Sequence, residues 1–456
     1  MNAQVKPWSR YQPQRMGPEN GRGTPVTRSE SPVSYEPIPK SRYTSPEFMR
    51  LEWERMWRRT WLMTVRESEI RRPGDYATYE LGKESFLITR DQNGRARGYY
   101  NLCLHRGNRL RPVGAERLCG HAASFACAYH AWEWNIDGTV KNIPEYDVSF
   151  PCIEPKSALT LREVRADVWG GWVWINMNPH AEPLLEFLDP IPQHFAPYRM
   201  EDYVVAANLT IEWECNWKTS VDAFNESYHV QGIHPQLFDY IDDLNLQFDT
   251  YRRHARMLVP QCIPSPRAVG RERLHHYTEM FLKGFGKDLD YYRAHPREAR
   301  EAVIRAKRAV ESESHFPYRY LSDEQLTDDY HYTIFPNAQF NTYGEGAMVF
   351  VSRPHATDPN KMYWDLLYYT HPEPGAAGGD AAGAGAANAA NKVVTNDGLD
   401  IGDPFLNEIL LQDAVNLPHV QQGMQSDACD VLRVSEQEIR IAFFHQVLMR
   451  QYIESP

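Results

Sequence analysis

The sequence predicts an α+β chain in which a small all-β domain precedes a larger domain of strands and helices. Short strand-like runs alternate with turn residues between Asp75 and Asn101, which is typical of a small antiparallel domain. Residues 204–213 alternate apolar and polar side chains, as a strand with one buried face does. The stretch after Asp403 repeats apolar residues at helical spacing instead, which indicates a long helix near the C-terminus.

Composition limits the classes of protein to which the chain can belong. Of its 456 residues, 42% are hydrophobic and 24% are charged, which is enough apolar material for more than one core. The net charge of −11 argues against a nucleic-acid-binding surface. No apolar run is long enough to cross a bilayer, and the polar N-terminus lacks the apolar core of a signal peptide, so we expect a cytoplasmic protein. Seven scattered cysteines favour thiols and metal ligands over disulfides.

The predicted organisation follows changes in composition. We expect residues 1–44 to form a disordered arm, because this stretch is polar and has proline, arginine and serine scattered through it. Order should begin with a helix that Ser45 caps, since a proline follows at the first helical position. Residues 45–180 then form the first domain with its leading helix, and residues 181–456 form the second. The low complexity of residues 372–398 predicts a flexible insertion in the second domain.

Two short clusters in the first domain each pair a cysteine with a histidine, Cys103 with His105 and Cys127 with His130. Two such pairs on two loops suit a two-iron cluster, with two thiolates on one iron and two imidazoles on the other. A Cys₂His₂ zinc site is the structural alternative. The single residue between Cys103 and His105 is tighter than zinc-finger spacing, which favours the iron cluster.

The sequences Cys-Leu-His-Arg-Gly at 103–107 and Cys-Ala-Tyr-His-Ala-Trp at 127–132 resemble the Rieske [2Fe-2S] signature. Rieske proteins of respiratory and photosynthetic chains carry two further cysteines near these ligands, and these cysteines form a disulfide. Asn108 and Tyr129 stand at the matching positions here. The pattern is therefore similar to the oxygenase and ferredoxin branch of the family.

A second histidine motif lies in the stretch Glu-Ser-Tyr-His-Val-Gln-Gly-Ile-His at residues 226–234. On a straight helix, its two histidines would point about 140° apart, so both can face one metal only if the backbone breaks, and Gly232 would permit this. Glu226 lies one turn before His229, where a carboxylate suits a partner that fixes the tautomer of a metal-bound histidine. A helix end with two ordinary histidines is the alternative. Asp222 is a further candidate for the site, or else a solvated helix position.

The second domain resembles the catalytic domain of a Rieske non-haem iron oxygenase alpha subunit, in the aromatic-ring-hydroxylating dioxygenase family. The Asn-Trp-Lys at 216–218 and the later Tyr-His and His-Pro pairs carry this resemblance. It implies a helix-grip type domain with an antiparallel sheet and a long C-terminal helix. It also implies that His229 and His234 bind a mononuclear iron(II). Glu226 would link this iron to His130 in the cluster of a neighbouring subunit.

The third iron ligand should be a carboxylate, and Asp413 is the candidate. It lies on the apolar stripe of the C-terminal helix, four residues after Ile409 and four before Leu417. A carboxylate on a buried face is costly unless it is paired or metal-bound. Asp413 would complete a 2-His-1-carboxylate triad with open positions for dioxygen. The alternatives are a pair with a buried arginine and a cap at a break near Pro418.

The resemblance implies a terminal oxygenase of the EC 1.14 class, which uses both iron centres and dioxygen to hydroxylate an aromatic or other hydrophobic substrate. A ferredoxin and/or an NAD(P)H-dependent reductase would supply electrons. The family implies a homotrimer, with or without a beta subunit. Within this class, the alternative is a monooxygenase or demethylase of a quaternary ammonium or steroid-like substrate. Outside it, the alternatives are a Rieske electron carrier and a zinc-stabilised binding module.

Overall fold

The computed structural model describes residues 22–24, 33–111, 118–372 and 407–455, together with the backbone of residues 392–395. Most of the expected insertion at 372–398 lies outside these residues, as does Asp403, the expected cap of the C-terminal helix. No helix in the described ranges is both long and apolar enough to cross a membrane.

The chain begins with a short strand and two helices, β1 (Ile38–Pro39), α1 (Ser41–Thr44) and α2 (Pro46–Glu52), and α2 continues into a π-helical turn (Trp53–Trp57). The expectation of disorder through residue 44 is wrong for this part. Ile38 and Tyr43 are buried, and β1 pairs with a strand from the far end of the chain. The predicted cap is confirmed, because the Ser45 hydroxyl accepts a hydrogen bond from the backbone N–H of Phe48.

Antiparallel strands build the first domain, which confirms its predicted all-β character. They are β2 (Leu62–Arg66), β3 (Asp75–Leu81), β4 (Glu84–Arg90), β5 (Ala96–Tyr100), β6 (Cys119–His121), β7 (Ser124–Ala126), β8 (Glu133–Asn135), β9 (Val140–Asn142), β10 (Glu163–Trp169) and β11 (Trp172–Asn176). A short helix, α3 (Tyr146–Ser149), lies before β10. The larger sheet has the order β2-β11-β10-β5-β4-β3-β6, and the smaller has the order β7-β8-β9.

The second domain is an eight-stranded sheet with helices around it. Its elements are α4 (Leu184–Leu188), α5 (Ile191–Phe195), β12 (Val204–Trp213), α6 (Trp217–Ala223), α7 (Val230–Ile233), β13 (Gln247–Tyr251), β14 (His254–Val259), α8 (His276–Gly284), α9 (Leu289–Ala294), α10 (Ala299–Ala309), β15 (Asp329–Ile334), β16 (Ala338–Tyr343), β17 (Gly346–Pro354), β18 (Met362–Thr370), β19 (Lys392–Thr395), α11 (Glu408–Gln425), β20 (Val431–Leu432) and α12 (Ile439–Val447). The sheet order is β13-β14-β15-β16-β17-β18-β12-β19. Among the strands that the structure describes, only the β12–β19 pair of this sheet is parallel, so the predicted antiparallel sheet and C-terminal helix are confirmed.

The stretch from residue 217 to residue 233 forms two helices and not one straight helix. The break falls between α6 and α7 and not at Gly232, which lies within α7. The carboxylate of Glu226 accepts a hydrogen bond of 3.0 Å from the backbone N–H of His229, so it caps the new turn from within the break. A side chain that satisfies a backbone donor in this way competes with the continuation of the helix.

A buried ion pair connects the leading helix to the helix that carries the second motif. Glu52 at the end of α2 lies 2.7 Å from Lys218 in α6, and both side chains are at most 1% exposed. The rings of Tyr43, Phe48 and Trp217 surround the ammonium group. The position of α6 therefore depends on contacts with residues of α1 and α2, which precede the strands of the first domain.

Candidate functional site

Three side chains from separate parts of the chain converge in the second domain. His229 precedes α7, His234 follows it, and Asp413 lies in α11. One ligand atom from each residue lies within 4.8 Å of the others. Asp413 Oδ1 is 3.0 Å from His234 Nε2 and 3.8 Å from His229 Nε2. The structure thus brings together all three residues that the sequence proposed as iron ligands.

A hydrogen bond on the other ring nitrogen orients each of these histidines. His229 Nδ1 lies 2.6 Å from Glu226 Oε1, which is the contact expected of Glu226, and His234 Nδ1 lies 2.7 Å from Gln412 Oε1. Because these oxygens only accept, both Nδ1 atoms donate, and both Nε2 atoms are left for a metal. Sequence reasoning missed this role of Gln412, because its partner is 178 positions away. Its position beside Asp413 was the only local signal.

The electrostatics of this cluster suit a cation. Burial alone would lower the pKa of His229, but the carboxylates of Glu226 and Asp413 outweigh it and raise this pKa to about 9. A divalent metal would balance the same negative charge. Two imidazoles and one carboxylate that leave open positions are the ligands that non-haem iron(II) takes in oxygenases. The residues present therefore fit a mononuclear iron.

The helix around Asp413 is continuous, so a cap at a break near Pro418 does not explain this carboxylate. Pro418 lies inside α11, where its ring removes the N–H that would bond to the carbonyl of Ala414. The indole of Trp213 donates to that carbonyl at 2.9 Å instead. Among the described residues, no arginine forms an ion pair with Asp413. The side chain is 2% exposed and faces His234.

Asp222 lies neither beside the three convergent residues nor in solvent, which were the two environments expected from the sequence. Its Oδ2 accepts a hydrogen bond of 2.5 Å from the hydroxyl of Tyr43, and His445 Nε2 lies 3.5 Å away. The side chain is buried between α1, α6 and α12, so the solvated alternative is wrong. No described contact joins it to the three convergent residues.

The cysteine and histidine pairs of the first domain also meet. Cys103 and His105 follow β5, and Cys127 and His130 lie in the turn between β7 and β8. The two imidazole rings are 4.5 Å apart, and both cysteines are buried and free of disulfides. His105 Nδ1 is buried without a hydrogen-bond partner in the described ranges. A buried ring nitrogen needs a partner, and an iron of the cluster would supply it.

The two positions that lack cysteine contact the same loops. Asn108 Nδ2 lies 3.6 Å from Cys127 Sγ, and the ring of Tyr129 packs at 3.7 Å from that of His130. Tyr129 is 57% exposed, so this edge of the loops reaches the surface. An amide N–H beside a thiolate lowers the cost of its negative charge.

A cavity of about 190 Å³ adjoins the three convergent residues. Its lining is mixed, because polar side chains on strands β15 and β16 lie next to apolar ones on the neighbouring strands. The apolar lining includes Phe224, Leu237, Ile241, Met257, Phe350 and Ile409, and the polar lining includes Asp329, His331, Asn341 and Tyr343. A cavity beside open metal positions is where a substrate would lie.

Two family models match the chain. The model of the Rieske [2Fe-2S] domain matches residues 60–154, and the model of the ring hydroxylating alpha subunit (catalytic domain) matches residues 200–454. The first range contains the cysteine and histidine pairs, and the second contains the three convergent residues.

The curated relatives fall into two groups. The oxygenase subunit of glycine betaine monooxygenase from Chromohalobacter salexigens is 27% identical over 259 residues, which are 55% of this chain and 53% of that protein. The alpha subunit of benzene 1,2-dioxygenase from Pseudomonas putida is 31% identical over 194 residues, which are 41% of this chain and 42% of that protein. The chain spans about half the length of the curated relatives it matches.

Solved structures show the same fold. The quaternary ammonium Rieske monooxygenase CntA, in complex with an inhibitor, has a TM-score of 0.65 at 19% identity, with 92% of this chain and 99% of that chain covered. Naphthalene 1,2-dioxygenase with indole bound has a TM-score of 0.61 at 18% identity, with 91% and 93% covered. Because the catalytic-domain model alone spans more than half of the sequence, the chain belongs to the family of Rieske non-haem iron oxygenase alpha subunits.

Proposed function

We propose that this chain is a terminal oxygenase that hydroxylates a small organic substrate with dioxygen. The supporting observation is that His229, His234 and Asp413 converge at the wall of a cavity. Iron(II) held by these residues would supply dioxygen activation at its open positions. A pure electron carrier needs no such site.

The contribution of the protein is to position groups around that metal. Glu226 holds the His229 proton at Nδ1, so that Nε2 faces the metal, and Gln412 does the same for His234. His234 and Asp413 are 1% and 2% exposed, which keeps bulk water away from their side of the site. The cavity then offers the substrate a route to the open positions.

We further propose that electrons reach this site from the Rieske cluster of a neighbouring subunit in a homotrimer, with or without a beta subunit. An outside ferredoxin and/or NAD(P)H-dependent reductase would reduce the cluster, and His130 and Glu226 would connect the two centres. Tyr129, beside His130, is exposed, which suits a cluster edge that meets another subunit. Sedimentation should give three times the chain mass. A fully active monomer would refute this route.

The proposed substrate class is an aromatic or other hydrophobic compound, with ring hydroxylation as the reaction. Its support is the apolar lining of the cavity, which includes Phe224, Met257 and Phe350. Monooxygenation or demethylation of a quaternary ammonium compound is the second candidate, because one group of relatives comprises oxygenase subunits of glycine betaine and carnitine monooxygenases. A cavity of 190 Å³ is small for a steroid-like substrate, since sites for drug-sized ligands are about 300–1,000 Å³.

Iron counting on the purified protein tests the proposal. Three irons per chain, with the reduced-state EPR signal of a Rieske cluster, support the oxygenase. Two irons would support the electron carrier. Zinc with no visible chromophore would support the binding module.

Variants of the convergent residues sharpen this test. Asp413→Ala and His234→Ala should each keep the red cluster chromophore but lose one iron and all turnover. Asp427→Ala, an exposed carboxylate just after α11, is the matched control and should keep three irons. Undiminished product from either site variant would refute the proposed function.

Oxygen uptake with a surrogate reductase would assign the substrate. The panel should contain aromatic hydrocarbons, aromatic acids, steroids and quaternary amines. Labelled dioxygen then distinguishes the reactions, because a dioxygenase places two labelled atoms in the product and a monooxygenase places one.

A further inference from the structure

The polar lining of the cavity contains a buried carboxyl group that lacks a full set of partners. Asp329 begins β15 and is 7% exposed. Its Oδ1 is buried and has no hydrogen-bond partner among the described residues. Because an unpartnered buried acceptor is costly, it marks a place where a ligand can supply a donor.

A buried cation acts on this carboxyl group without pairing directly with it. Burial raises the pKa of Asp329 well above its ordinary value, and the charge of fully buried Arg440 in α12 opposes that rise. No ion pair joins the two side chains in the part of the chain that the structure describes. Arg440 Nη2 instead donates to His331 Nδ1 at 2.8 Å and to Thr333 Oγ1 at 2.6 Å. Arg440 therefore leaves Asp329 Oδ1 without a direct partner, on a residue that lines the cavity.

Arg440 also determines what His331 offers to the cavity. A guanidinium can only donate, so His331 Nδ1 must accept, and the ring proton lies on Nε2. That Nε2 is buried and lacks an acceptor within the described ranges. Burial and the charge of Arg440 hold the pKa of His331 well below its ordinary value, so the ring is neutral. Asp329 and, two residues along the same strand, His331 thus line the cavity and carry a buried acceptor and a buried donor without partners among the described residues.

The charges that line the cavity argue against an anionic substrate. Glu226 and Asp413 line it together with Asp329, on which burial disfavours the charge, whereas no lysine or arginine does so in the described part of the chain. A substrate carboxylate would meet this negative charge with the metal as its only balancing group. The size of the cavity is informative too, because a cavity of about 150 Å³ can hold benzene. The observed 190 Å³ suits one ring with a short substituent.

We propose that the cavity selects a single-ring substrate with an N–H group, which it donates to Asp329 Oδ1 while His331 Nε2 donates to an acceptor on the substrate or to water. This inference rests on the proposed function, because it takes the cavity to be the substrate site. Asp329 and His331 are then residues that determine specificity. The shared chemistry is the N–H donor, which a protonated amine or a carboxamide can supply. Neither benzene nor a trimethylammonium group has one.

Binding of five probes to the iron-loaded protein tests this inference without turnover. The probes are benzylamine, benzamide, benzyltrimethylammonium, toluene and benzoate, and isothermal titration gives each Kd. At least one of the two N–H probes should bind ten or more times tighter than toluene and benzyltrimethylammonium. Benzoate should bind more weakly than its amide. Equal affinity for toluene and both N–H probes, or no binding of either N–H probe, would overturn the inference.

Variants of the carboxylate distinguish its role from direct amine–metal contact. Asp329→Ala should reduce the preference for N–H probes at least tenfold. Asp329→Asn, which keeps an acceptor but loses the charge, should lose the preference for the amine and keep more of that for the amide. Asp290→Asn, on the exposed helix α9, is the control and should change neither preference. A preference that survives in Asp329→Ala would overturn the inference.

The outcomes can be told apart from failure of the proposed function. A protein that binds N–H probes through Asp329 but holds only two irons would keep this inference and lose the oxygenase. A protein that holds three irons but shows no N–H preference would do the reverse. If Asp329→Ala does not fold, as its circular dichroism spectrum would reveal, the loss or survival of the amine preference in Asp329→Asn still decides.

Discussion

The buried pair of Glu52 and Lys218 leads to a prediction about stability and pH. Removing one member of a buried pair leaves the other charge without a partner, which typically costs about 3–5 kcal/mol. The stranded group can limit this cost by becoming neutral. Burial already raises the pKa of Glu52 and lowers the pKa of Lys218, against the attraction between them. The two single variants should therefore respond to pH in opposite directions.

The magnitudes follow from the unfolded-state pKa values. In Lys218→Met, keeping Glu52 protonated in the folded state costs at most about 3.7 kcal/mol at pH 7. The carboxyl group of the unfolded chain has a pKa near 4.3, and each pH unit above that value adds about 1.36 kcal/mol. The folded pKa is raised, so stability is lost as pH rises. In Glu52→Gln, keeping the Lys218 amine deprotonated in the folded state costs at most about 4.6 kcal/mol at pH 7, since the amine of the unfolded chain has a pKa near 10.4. The folded pKa is lowered here, so stability is lost as pH falls.

Urea unfolding followed by circular dichroism at pH 6, 7 and 8 is the assay. The free energy of unfolding should fall by up to about 1.4 kcal/mol per pH unit in Lys218→Met and rise by the same amount in Glu52→Gln, relative to the unmodified protein. The double variant should recover most of the loss, because neither charge is stranded. Arg50→Met, at the exposed pair with Glu54, is the control and should change little. Parallel pH slopes, or a double variant no better than the singles, would refute this reasoning.

Three further predictions concern other parts of the molecule. Burial is the main reason that the pKa of His254 is lowered to about 3. The free energy of unfolding should therefore decrease as pH falls below about 6.5, where the unfolded histidine takes up a proton and the folded one does not. We expect His254 to lower the free energy of unfolding by about 1.4 kcal/mol between pH 7.5 and 5.5. Urea titrations should show a smaller decrease over this range in His254→Gln. Gln412→Leu removes the partner of His234 and should weaken iron binding about 10–100-fold in chelator competition, with an unchanged cluster spectrum; unaltered affinity would contradict this role. Gly346→Ala should lower the melting temperature markedly, because its Cβ would lie 2.0 Å from the carbonyl oxygen of Tyr369; a wild-type melting curve would show that the backbone can yield there.

Features that depend on local chemistry were predictable from the sequence. Asp413 interrupts an apolar stripe, and a carboxylate on a buried face needs a partner in any fold. The spacing of Cys103 and His105 likewise indicated a cluster before any tertiary contact was known. Ser45 followed by proline marked the start of α2.

Features that depend on distant parts of the chain were not predictable. Gln412 orients a histidine 178 positions away, and Asp222 meets Tyr43 and His445 from two other helices. The ordered end of the predicted arm depends on the pairing of β1 with β20. The position of the helix break depends on a side-chain bond of Glu226, which glycine content does not reveal.

Strands β15, β16 and β17 give the cavity wall a simple layout. On each strand the side chains that face the cavity are two positions apart, and those between them are buried on the opposite face. The six facing positions are Asp329, His331, Asn341, Tyr343, Met348 and Phe350. Because of this alternation, a combinatorial library over six codons would vary the residues that contact a ligand and leave the buried residues on the opposite face unchanged.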